Sequence, residues 1–176
     1  MACDLEYLAG VVKGDGTLYY NKKAYEHVVE VYDRELAFVE MLAAMLRECG
    51  YNPSVRSYGT YYRVRVNSYA LYTTLVDLIQ RLLTNPTPQF VAGLFDSDGT
   101  LYFDKRKKRP LPILELANTD VSVVLAASKL FEEFGIRHSI KRSGGRKKPV
   151  YKTVVRGLNV YLALNILNLK HPKFFA

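Results

Sequence analysis

Two observations predict an α+β protein built from two pseudo-symmetric α-β-β-α-β-β-α units. A twelve-residue block recurs: AGVVKGDGTLYY at 9–20 and AGLFDSDGTLYF at 92–103 share seven residues at an offset of 83. After each block, helix-like and strand-like apolar periods alternate in the same order. Two copies are too few for a solenoid, so this is a duplicated unit. The first unit spans 1–84, a linker 85–88, and the second unit 89–176.

Each element follows from its own pattern. Residues 5–14 form an apolar helix with small residues in its middle. Residues 17–21 and 26–31 make a hairpin. Over 35–49, Leu36, Val39, Leu42, Ala43 and Leu46 recur at helical spacing, and Gly50 supplies the stop. Residues 55–58 and 61–67 form a second hairpin through Gly59 and Thr60, and 68–83 form a helix. The linker Asn85-Pro86-Thr87-Pro88 ends that helix, because proline cannot continue it. The second copy repeats the order, with a strand at 113–118, a helix stopping at Gly135 and a last helix at 159–168. Its extra residues fall mainly in two basic loops, 104–110 and 143–149.

Composition narrows the class. Hydrophobic residues make up 49% of the 176, enough for a packed core. No apolar run approaches the roughly 20 residues of a membrane span, and the first ten residues lack a signal-peptide pattern. An intracellular protein is expected, cytoplasmic if prokaryotic. Cys3 and Cys49 have no metal-ligand or redox spacing and read as inert thiols of a reducing compartment. The net charge is +8, and it is unevenly shared. Residues 1–88 carry 9 Lys and Arg against 10 Asp and Glu; residues 89–176 carry 16 against 7. A basic half without a membrane helix points to a polyanion, most simply nucleic acid.

The repeated block has its own chemistry. Gly10 and Gly14, then Gly93 and Ser97, lie four residues apart on one helix face. Small residues at that spacing let two helix backbones meet, so the two copies are expected to pack there. Each helix then ends in an aspartate, Asp15 or Asp98. A helix C-terminus disfavours negative charge, and two such carboxylates also repel each other. A divalent cation resolves both penalties. Oxygen-only ligation suits Mg²⁺, which keeps several waters. Two carboxylates holding metal beside a phosphodiester is a two-metal nuclease arrangement.

LAGVVKGDG (8–16) and VAGLFDSDG (91–99) resemble two copies of the LAGLIDADG signature, and the element order resembles that homing endonuclease family over nearly the whole chain. The resemblance implies a single-chain, intron-encoded enzyme whose units pack through these helices, their antiparallel sheets forming a DNA-binding saddle. It implies Asp15 and Asp98 as catalytic metal-binding acids, with main-chain oxygens of Gly14 and Ser97 as further ligands. Two or three Mg²⁺ or Mn²⁺ ions would be shared between the acids. Lys13 and Asp96, at the sixth motif position, would not be catalytic. A peripheral polar residue organises the attacking water in such enzymes; Lys170, Lys173 and Asn118 are candidates, and Asp33 is the repeat equivalent of Asn118.

A DNA-facing sheet should alternate apolar and polar residues. Over 61–67, Val64 and Val66 face inward while Tyr61, Arg63, Arg65 and Asn67 face out. Glu26, Val28 and Glu30 share a face; Glu115 is the repeat equivalent of Glu30. Lys152, Val154 and Arg156 form the comparable face in the second unit, and Arg56 corresponds to Lys141. With Tyr58 and Arg142, these side chains are the candidate DNA contacts, Arg suiting guanine and Glu cytosine. The loop cations Lys105, Arg106, Lys107, Lys108 and Arg109, and Arg146, Lys147 and Lys148, suit phosphates.

The two halves differ in nearly every outward residue, so an asymmetric duplex target and a monomer without an obligate protein partner are expected. The resemblance adds a cut leaving 3′ overhangs. Two alternatives keep the fold: an RNA maturase assisting splicing, and a regulator that binds DNA without cutting it.

Overall fold

The computed structural model describes residues 2–106, 108–144 and 148–175. The first half runs α1 (Leu5–Asp15), β1 (Gly16–Asn21), β2 (Glu26–Asp33), α2 (Leu36–Glu48), β3 (Ser54–Ser57), β4 (Tyr62–Asn67) and α3 (Tyr69–Thr84). The second half repeats the order with α4 (Pro88–Asp98), β5 (Gly99–Asp104), β6 (Leu111–Asn118), α5 (Val121–Glu133), β7 (His138–Gly144), β8 (Pro149–Arg156) and α6 (Leu158–Leu167), then a 3₁₀ turn, Pro172–Phe174. The α+β fold with two antiparallel four-stranded sheets is as the sequence predicts.

Local chemistry sets the boundaries. Asp4, Ser68 and Thr87 cap α1, α3 and α4 by accepting from the N–H three residues on. Thr87 caps rather than links, and Pro88 is already helical, because the first turn needs no N–H from it. Gly50 and Gly135 end α2 and α5 identically, with φ of 86° and 67°. In each case the N–H after the glycine returns to the last turn, Tyr51 to Leu46 O and Ile136 to Phe131 O.

The sheet orders are β1-β2-β4-β3 and β5-β6-β8-β7. Opposite each other on the inner face of the first stand Leu18, Val29 and Val66, then Val31, Val64 and Val55. These pack under α2 and α3, and one continuous core runs from them through α1 and α4 into the second half. Two cross-half polar contacts flank that seam. Lys13 Nζ bonds Asp120 Oδ2 at 2.7 Å, and Thr87 Oγ1 donates to Glu6 Oε2 at 2.6 Å. Among the described residues, no helix is long and apolar enough to cross a membrane.

The cysteines correct the sequence reading. Cys3 and Cys49 form a disulfide that ties the segment before α1 to the end of α2. They are 46 residues apart with no diagnostic spacing, so only the tertiary fold brings them together.

Candidate active site at the helix seam

Helices α1 and α4 meet backbone to backbone. A Cβ on Gly10 would collide with the Phe90 carbonyl, and one on Gly93 with the Tyr7 carbonyl. Gly14 abuts Ser97, whose Oγ donates to Val11 O and Gly93 O at 3.1 Å. This close approach carries the two helix C-termini, and with them Asp15 and Asp98, to one place.

There the carboxyls lie within hydrogen-bonding reach of each other. Burial, then the neighbouring Asp98 charge, pushes Asp15 up to about 6. Burial also raises Asp98, opposed by its bonds to Asn118 and Asp15 and by the Lys173 charge. Asn118 Nδ2 donates to Asp98 Oδ2 at 2.7 Å. The two acids are therefore supported differently. Asp33, the repeat equivalent of Asn118, instead accepts from His171 Nε2 at 3.2 Å. Burial would raise Asp33, but the His171 bond and the Glu35 N–H hold it below the usual carboxylate range.

The C-terminal tail separates the two lysine candidates. Lys173 Nζ donates to Ser97 O at 2.7 Å and lies close enough to feel Asp15, Asp96, Asp33 and Asp98. Burial lowers its pKa, and those four charges oppose the shift. Lys170, by contrast, sits over the Tyr7 ring at 4.3 Å, and its backbone N–H bonds Asp96 Oδ2 at 2.8 Å. The tail turns between them, so Lys170 is held on the aromatic ring and Lys173 reaches the acids. Asp96 is fully buried and also accepts from Tyr7 Oη at 2.6 Å. His171 is buried against Phe38; its Nδ1 accepts from the Lys173 N–H, which leaves Nε2 as the donor to Asp33. The sequence carried no signal for this strap, because His171 and Asp33 are 138 residues apart.

A divalent metal fits this donor set. Asp15, Asp98 and the Ser97 carbonyl are hard oxygen donors, and that carbonyl already accepts a cation, the Lys173 ammonium. Among the described residues no cluster of three or more His, Cys, Asp or Glu offers a closed cage. Two carboxylates with carbonyls and water suit Mg²⁺ better than a metal needing a full protein shell.

The outer sheet faces hold most of the candidate contacts. On the first, Glu30 lies opposite Thr17 and Arg65, and Arg63 opposite Tyr32 and Arg56. Arg65 Nη2 bonds Glu26 at 2.8 Å; Glu30 sits 3.7 Å from Arg63 and 3.9 Å from Arg65. Tyr58 and Tyr61 stack at 5.3 Å, with the Arg63 guanidinium over Tyr58. On the second, Lys152 lies opposite Ala117 and Lys141, and bonds Glu115 at 2.6 Å. Arg142 is the exception: strand alternation puts it on the opposite face from Lys141. Lys105, Lys108, Arg109 and Lys148 are exposed. Arg106 folds onto Asp104 through two bonds of 2.9 Å. Lys107, Arg146 and Lys147 lie outside the described residues.

A fused helix seam ending in two acids beneath two antiparallel sheets is the arrangement against which the comparisons are set. Residues 87–168 match the family model described as a LAGLIDADG-like domain. The match covers most of the second half, and the fold of the whole chain is that of the solved structures it resembles. The whole chain superimposes on the homing endonuclease I-DmoI in complex with DNA and Mn, with TM-score 0.72 and 22% identity, covering 94% of this chain and 97% of that one. It also matches the meganuclease I-SmaMI bound to uncleaveable DNA, with TM-score 0.69 and 11% identity over 99% and 86% of the two chains. In sequence it is 28% identical over 149 residues to the uncharacterized protein MJ0314 of Methanocaldococcus jannaschii, covering 77% of this chain and 56% of that one. The chain spans about half the length of the curated relatives it matches.

Proposed function

We propose that this chain is a single-chain homing endonuclease that makes a double-strand break in a long, asymmetric DNA site. The observation that carries this reading is the acid pair. Asp15 and Asp98 end the two seam helices side by side, raised in pKa and facing helix-dipole charge of their own sign. A structural role alone would not favour two ionisable acids there. Bound Mg²⁺ or Mn²⁺, two or three ions shared between the acids and the Gly14 and Ser97 carbonyls, would supply Lewis-acid activation of water and phosphate.

The chain's own residues do the rest. Asp15 and Asp98 each serve one strand. Asn118 fixes the rotamer of Asp98, and Lys173 places positive charge at the pair, where phosphate charge develops. The outer faces of the two sheets hold the duplex: Arg63, Arg65 and Glu30 read one half-site, Lys141, Lys152 and Glu115 the other, and loop cations contact phosphates. Different side chains on the two faces require an asymmetric target. The protein acts as a monomer, leaves 3′ overhangs and belongs with an intron.

The test is cleavage of an intron-free target in Mg²⁺ and in Ca²⁺. Wild type should cut both strands in Mg²⁺, while Asp15→Asn and Asp98→Asn should bind normally and lose double-strand cutting. Full cutting by either variant would sink the mechanism. Binding without cutting by wild type would point to a regulator.

A further inference from the structure

A cleft of about 290 Å³ opens at the end of the second sheet, lined by Arg137, His138, Ser139, Val154, Arg156 and Asn159. The strand register places it. In the first half, Ser54 stands opposite Arg65, which turns away from it to Glu26 on β2, and Ser54 is exposed. In the second, Ser139 stands opposite Val154, which carries no charged head, and the cleft opens beside the pair. Ser139 Oγ is buried and has no hydrogen-bond partner among the described residues. A buried hydroxyl in that state has a donor free for an added acceptor.

The walls are cationic. Among the described residues neither Arg137 nor Arg156 makes an ion pair. Glu115, which stands opposite Val154, is taken by Lys152. The His138 ring is turned away, bonded to Ser128 Oγ at 2.6 Å and Ile136 O at 2.9 Å. Asn159 ties the rim by accepting from the Arg137 N–H at 3.1 Å. It lies in the first turn of α6, whose Gly157 cap offers no side-chain acceptor, so the helix end adds a field that favours an anion.

We propose that this cleft seats one backbone phosphate of DNA lying across the second sheet, with Arg137 and Arg156 as its charged walls and Ser139 Oγ as a donor. The assignment rests on the DNA-binding reading above. At the equivalent position of the first half, Arg65 is engaged with Glu26 instead. Sequence-independent grip is then concentrated in the basic half of the chain.

The test is fluorescence anisotropy with a random-sequence duplex over a NaCl series, for wild type, Arg137→Gln, Arg156→Gln and Ser139→Val. Each arginine variant should flatten the slope of log K against log salt by about 1. Ser139→Val, which removes the hydroxyl donor, should weaken binding several-fold while its circular dichroism spectrum and Tm match wild type. Wild-type slopes and affinities in all three folded variants would overturn the assignment. So would a stabilisation by inorganic phosphate, at fixed ionic strength, that both arginine variants lose while keeping the wild-type DNA slope; the cleft would then be a free-anion site. If wild type binds no duplex at low salt, the DNA-binding reading itself fails, a distinct result.

Discussion

At the residue scale, the acid pair makes a prediction separate from catalysis. Asp15 rises from an ordinary 3.8 to about 6, by burial and then by Asp98. At full strength that rise corresponds to about 3 kcal/mol; screening at a carboxyl with an exposed edge trims it to about 1 kcal/mol. A raised acid binds its proton more tightly in the folded state. The penalty is therefore absent below pH 3.8, grows through pH 6 and is full above it. Asp15→Asn should raise the Tm of metal-free protein by about 2–4 °C at pH 7.5, an advantage that fades towards pH 4. A Tm lower than wild type in EDTA at pH 7.5 would contradict the strained-pair account. Asn118 makes a second prediction. Because it holds Asp98 at 2.7 Å, Asn118→Ala should lower Mg²⁺-dependent cleavage by about 10–100-fold and weaken Mg²⁺ binding in titration, with DNA affinity in Ca²⁺ unchanged. Asp15 and Asp98 could be named from the sequence, since each ends a repeated helix. The choice of Lys173 over Lys170 could not, because it depends on how the tail folds over Tyr7.

At the element scale, the seam and the disulfide dominate. A methyl on Gly10 or Gly93 would press into a facing carbonyl, which no rotamer change relieves. Gly10→Ala should cost about 1–3 kcal/mol, measured as a fall in the urea midpoint, and should impair cleavage by parting the acids. The spacing of small residues made this seam legible in advance, because helix period alone decides which residues share a face. The Cys3–Cys49 bond closes a loop across 46 residues, and in the chain-entropy account such a crosslink contributes up to about 4 kcal/mol. Cys49→Ser, or reduction, should lower the unfolding free energy by up to that amount. The same two cysteines read as thiols in the sequence, since pairing depends on the fold bringing the segment before α1 to the end of α2.

At the scale of the whole molecule, charge asymmetry governs association. The second half holds 16 of the 25 cations. Its phosphate contacts should make duplex affinity fall by about 10³ or more between 50 and 200 mM salt, read as a linear log–log plot. A flat plot would remove the electrostatic basis for DNA binding. The outer faces carry further asymmetry: Arg63, Arg65 and Glu30 form one charged cluster, while Lys152 pairs alone with Glu115.

The sequence by itself determined the duplication, the element order, the seam glycines, the two acids and the outward faces of the inner strands. Each of these follows from period, composition or repetition within a short stretch of chain. Only the tertiary structure decided the disulfide, the crossing of Lys13 to Asp120, the tail that sets His171 on Asp33 and Lys173 on Ser97, and the open cleft beside Ser139. Each of these joins residues distant in sequence, and no local pattern encodes a distance of that kind.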